Sequence, residues 1–184
     1  MRTSRIIQIL PFLLALLACD RFDATRHFNH GLRAFQDEKY QVAVQFFSRA
    51  SEALPNRATR YNLALAHLAW LRALSSADKA SAADLDPDRI SAALAAVHAA
   101  RELPELDDEM LAKLGYIEGA IHALAGNQEA AREAFMMSLA AVPDFEPTLK
   151  ALLPLETEAD TTATKLLAAT AVVEPLEPEE TLAD

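Results

Sequence analysis

His27 and His30 stand three residues apart, a spacing that brings two imidazoles to one helix face and could hold a divalent metal. No third ligand accompanies them, so packing against a second helix is the other role open to the pair. His67, His98 and His122 are isolated along the chain and read as ordinary helix residues. Asp84-Leu85-Asp86-Pro87-Asp88 opens like a calcium loop, but Arg89 fills the sixth position, where glycine makes the turn, and Ala95 the twelfth, where a bidentate Glu is needed. The stretch therefore reads as a charged loop ending in a helix cap at Asp88. Gly115 and Gly119 are four apart with Glu118 between them, which suits close helix packing in water and not a membrane dimer. The chain has no phosphate-cradling glycine loop, no G-x-S-x-G and no H-E-x-x-H. These residues point to a protein that is not an enzyme and takes no cofactor or metal; a metal- or ligand-binding role for His27 and His30 is the alternative.

Composition sets the elements that must carry any site. The 184 residues amount to about one domain. Seventeen basic residues against 27 acidic ones give a net charge of −10 and exclude the cationic footprint that nucleic acid requires. The Ala- and Leu-rich sequence, with sparse Val and Ile and only four Gly, predicts an all-α protein. One cysteine excludes an internal disulfide and a Cys-based zinc cluster.

Met1 to Arg5 carry two arginines and no acid, and an apolar run follows from Ile6 to Ala18, broken only by Gln8 and Pro11. As a helix the run is about 20 Å long, short of the ~30 Å hydrocarbon core. A charged start, a short apolar stretch and a small residue before polarity returns describe a secretory signal peptide over residues 1–18. Leu16-Leu17-Ala18-Cys19 resembles the bacterial lipobox, and the resemblance covers these first nineteen residues only. It implies cleavage before Cys19, lipidation of its sulfur and a short tether over 19–23. Acyl chains at ~0.8 kcal/mol per buried CH₂ would then hold the protein on a bilayer. Asp20 resembles the enterobacterial signal that retains a lipoprotein in the inner membrane, facing the periplasm; the outer membrane stays open as the alternative. Cleavage would remove Arg2 and Arg5, leaving 15 basic against 27 acidic residues, a net charge of −12.

The body repeats itself. Gly31, Ala43, Phe47, Ala50 and Pro55 recur as Gly119, Ala131, Phe135, Ser138 and Pro143, every marker displaced by 88 residues. This order of glycine, alanine, aromatic, small residue and proline resembles the tetratricopeptide repeat, a 34-residue helix-turn-helix unit. Tyr40 stands where that family often has an aromatic opening its second helix, and Gly126 at its inter-helix turn. The small residues let paired helices approach, the phenylalanines fill the space between hairpins, and the prolines end the second helices. A middle repeat opens at Arg60-Tyr61-Asn62-Leu63-Ala64, with Ala64 in the glycine slot and Ala92, Ala96, Ala99 and Pro104 as second-helix markers. Helices are expected near 24–36, 40–53, 58–74, 89–103, 108–125, 128–141 and 146–153. The resemblance implies a right-handed superhelix over 24–154: repeats at about 24–57, 58–111 with an insertion at 75–87, and 112–145, closed by a cap at 146–153. Asp88 and Asp107 are placed to cap helix starts.

Carrying the family's groove over residue by residue gives Phe28, Leu32 and Phe35, then Tyr61, Asn62, Leu65 and Leu68, then Tyr116, Ala120 and Leu124. The resemblance implies a strip that docks a peptide or helix of another envelope protein. Interhelical core is the other reading of the same stripe, because a helical period does not separate inward from groove-facing positions. A carboxylate clamp lacks its basic residues, since Asn62 and Lys113 are the only polar candidates. Leu155 to Asp184 carries eight acids and one base and reads as an acidic tail, with Thr161 to Val173 able to form one helix against the end of the stack.

Overall fold

The computed structural model describes residues 21–77, 85–104, 106–155 and 178. Residues 1–20, including the lipobox-like Cys19, and the tail beyond Leu155 apart from Pro178 lie outside the described residues, as do 78–84.

Among the described residues every regular element is helical. The chain is helical over 21–36 (α1) and continues through α2 (Tyr40–Ala53), α3 (Arg57–Ala77), α4 (Pro87–Arg101), α5 (Asp108–Leu124), α6 (Gln128–Ala141) and α7 (Glu146–Leu152), ending in a 3₁₀ turn at Leu153–Leu155. Three of the starts carry a side-chain cap. Asn56 and Thr59 exchange side-chain bonds with each other's backbone N–H at 3.0 and 3.1 Å, a capping box that opens α3. The Asp107 side chain accepts from the Met110 N–H at 2.7 Å to open α5. At α4 the cap is Asp86, which accepts from the Asp88 N–H, and not Asp88 as expected; Pro87 takes the first helical position, where a missing N–H costs nothing. The expected insertion at 75–87 is shorter as well, because α3 stays helical to Ala77.

The 88-residue displacement extends to the backbone. Lys39 N–H bonds the Ala34 carbonyl and Glu38 N–H that of Phe35, while Asn127 and Gly126 make the same two bonds to His122 and Ala123. Both ends are Schellman motifs, with Glu38 (φ 58°) and Gly126 (φ 78°) in the left-handed position. Only glycine takes that conformation without a steric penalty. Gly126→Ala is expected to lower the unfolding free energy by about 1 kcal/mol, and Glu38→Gly to leave it unchanged or raise it slightly, since relief of strain there is offset by a freer unfolded chain. Urea unfolding of the two variants checks the opposite signs.

Helices meet mainly their neighbours along the chain: α2 with α3, α3 with α4 and α5, α4 with α5, α5 with α6, α6 with α7. Phe28, Ala43, Phe47 and Ala50 with Ala58 and Ala66 form one core between α1, α2 and α3. Tyr61, Leu68, Leu71, Val97, Leu114, Ile117, Ile121, Phe135 and Leu149 belong to a second, larger core from α3 to α7. Half-buried Phe35 and Leu63 pack against both.

The hairpin contacts repeat too. A methyl on Gly31 would lie 2.6 Å from Phe47 Cε1, and one on Gly119 would lie 2.4 Å from Phe135 Cδ1. Ala43, Ala50, Ala131 and Ser138 are buried on the facing helices and Ala64 within the core, while Pro55 and Pro143 are exposed just past the ends of α2 and α6. Ser138 Oγ donates to the Ala112 carbonyl at 2.7 Å and lies 2.7 Å from Thr148 Oγ1, tying α5, α6 and α7 together. In α4 the expected markers fit in part. Ala96 is buried but Ala92 is exposed, and within the buried set of Ala93, Ala96, Val97 and Ala100 it is Ala93, Val97 and Ala100 that keep the spacing of Ala43, Phe47 and Ala50. Six alanines among the fifteen residues of α4 hide that phase in the sequence.

Candidate interaction surface

The ten residues expected to line a groove divide by burial. Phe28, Tyr61, Asn62, Leu65, Leu68 and Ala120 are buried; Leu32, Phe35, Tyr116 and Leu124 are partly exposed. The first six are therefore core. The reason is geometric: an i, i+3, i+4 stripe on a helix flanked on both sides faces a neighbouring helix over most of its width. Phe28 meets Phe47 edge-on at 5.7 Å, and the Asn62 amide donates to the Ala58 carbonyl at 2.9 Å.

Of the partly exposed four, Tyr116 lies where α3 and α5 meet. Arg72 donates to the Tyr116 hydroxyl at 2.7 Å, its guanidinium carbon 5.6 Å from the same ring. Tyr116 also packs on Phe135 and meets Phe145 edge-on at 6.3 Å. Lys113 Nζ lies 5.9 Å from the Tyr61 ring and 2.7 Å from Glu109. Arg57 pairs with Asp107 at 2.8 Å. The Met110 N–H, followed by the Arg57 guanidinium, holds the Asp107 carboxyl below its ordinary range. The junction is aromatic with fixed cations, and the exposed Arg72 is not among the residues read from sequence. An arginine one turn on from Leu68, among the apolar residues of the second half of α3, is the signal the sequence offers.

A second feature lies on the α4 side. Glu118 is buried between Gly115 and Gly119, with Oε2 2.5 Å from Arg101 and Oε1 3.3 Å from His98 Nε2. Sequence reading took Glu118 as a mark of contact with water. Its place between two close-packing glycines was the signal that it faces a neighbouring helix. Arg60 donates to the Ala99 carbonyl, and Arg89 stacks 4.5 Å over Trp70. An open cleft of about 630 Å³ runs between Leu85, Ile90, Leu94 and His98 on one side and Ala125 and Asn127 on the other.

His27 and His30 both stack on Phe46, with centroids 6.1 and 5.2 Å away and rings about 30° from parallel. Both therefore serve the α1–α2 contact. Among the described residues no three His, Cys, Asp or Glu side chains gather as a metal site, and no helix is long and apolar enough to cross a membrane. His67 is buried, and burial alone pushes its pKa down to about 4.

No protein-family model matches the chain, and no curated protein or solved structure matches it either.

Proposed function

We propose that the protein is a lipid-anchored scaffold of the bacterial envelope, built from tetratricopeptide-like hairpins and binding a peptide or helix of another envelope protein. The observation that supports this reading is the recurrence, 88 residues apart, of one hairpin complete with its glycine-on-phenylalanine contact and its left-handed turn residue. Stacked hairpins of this kind serve as extended binding surfaces rather than reaction centres. The contact residues are the accessible ones, Leu32, Phe35, Arg72, Tyr116 and Leu124, an aromatic and apolar strip with a cation to orient an acidic partner. Lipidation of Cys19 confines the encounter to a membrane surface and raises the effective concentration of the two proteins. Assembly of an envelope complex is the role this combination serves.

A photoreactive residue at position 32 or 124 is expected to capture a defined envelope protein in cells, whereas one at the outward positions Gln45 or Glu133 captures none of it. Identical captured sets from all four positions would remove the groove. Cys19→Ser is expected to move the protein from the membrane fraction to the soluble one; retention on the membrane would remove the anchor.

A further inference from the structure

The last hairpin carries apolar residues that its counterpart lacks. Met136 and Met137 of α6 are 55% and 51% exposed, and the positions 88 residues earlier in α2 hold Ser48 and Arg49. Hairpin packing therefore does not require methionine there. The neighbouring element is truncated as well: α3 runs for 21 residues beside α2, but its counterpart α7 runs for seven beside α6 and stops at a 3₁₀ turn whose Leu153 is 41% exposed. The chain leaves that turn held down on α6, because Arg132 donates to the Leu155 carbonyl. Arg132 and Met136 are four residues apart and so share one side of α6.

We propose that residues 161–173 of this same chain cover that face, completing the end of the stack that α7 leaves open. The connection is long enough: the five residues 156–160 span up to about 17 Å. The segment is also the one apolar stretch beyond Leu155, with Leu166, Ala169, Thr170 and Val173 at i, i+3, i+4 and i+7 and a single charge, Lys165, while all eight acids of the tail flank it. Glu129 and Glu133 on the exposed side of α6 suit Lys165 and oppose the acidic flanks, which selects the middle of the tail over its ends.

Methionine oxidation tests the placement on the full chain. Peroxide should oxidise Met136 slowly in the natural protein and about five-fold or more faster in a Leu166→Asp/Val173→Asp variant, with buried Met110 slow in both as the internal reference. The rates should not depend on protein concentration. Equal rates for Met136 in the two proteins would overturn the proposal. Protection lost on dilution would overturn it in favour of a second copy on the same face. Should Met110 react faster in the variant, showing a loosened fold, Leu166→Ser repeats the comparison with a milder change.

Discussion

Gly119→Ala is expected to destabilise the fold by about 2 kcal/mol, although alanine is the better helix former by about 1 kcal/mol. The new methyl would stand 2.4 and 2.5 Å from two ring carbons of Phe135, a side chain only 1% exposed, so the ring must move and cannot move into water. The prediction is one of coupling as well as of size. Phe135→Leu alone leaves a void and is expected to cost about 1 to 2 kcal/mol, but in the double variant the smaller side chain makes room for the methyl, and the combined loss should fall short of the sum by at least about 1 kcal/mol. Urea unfolding of the four proteins measures this. Additive losses would mean that glycine and ring do not share the space. Gly31 and Phe47 should behave alike, since their contact is the same one displaced by 88 residues.

Acid should weaken the protein in a window set by His67. Its pKa is about 4 in the folded state against 6.5 when exposed, because burial disfavours the imidazolium. Between those values the unfolded chain binds the proton and the folded one does not, so stability is complete above pH 6.5, falls as the pH drops toward 4 and does not change further through this group below it. At about 1.36 kcal/mol per pH unit the loss is on the order of 3 kcal/mol, a large share of a typical domain's stability. His67→Leu should flatten that limb of the stability profile between pH 7 and 4.5; an unchanged slope would assign it to other groups. Asp107 acts lower on the scale: with its carboxyl held below the usual range by the Met110 N–H and Arg57, its contribution is present above about pH 4 and is lost on further acidification.

The helices were legible because their punctuation is local. Pro55 and Pro143, Gly126 and Asp107 each act within a turn or two of where they stand, and the glycine and phenylalanine markers need only a contact between consecutive helices. Tyr40 and Gln128 open their helices at corresponding positions, and both helices run fourteen residues. Two kinds of information were not local. The phase of α4 is set by which of its six alanines meet α3 and α5, and alanines at adjacent positions leave the choice to tertiary contacts. The direction of the aromatic stripe depends on which part of a helix its neighbours cover. Tyr61 on α3 is buried, whereas Tyr116 on α5, a helix that touches α3, α4, α6 and α7, meets Arg72 at an accessible edge. The pairing of Glu118 with Arg101 and His98 likewise joins residues that no spacing rule connects.

α3 is a wall common to two cores of unequal size, with Ala58 and Ala66 turned to the smaller and Tyr61, Leu68 and Leu71 to the larger. A chain fastened at its N-terminal end would therefore receive tension first at α1 and α2, on the weaker side of that wall. Under load the first hairpin would peel away while α3 to α7 kept their shape. The molecule would then lengthen like a strap with one slack loop in reserve.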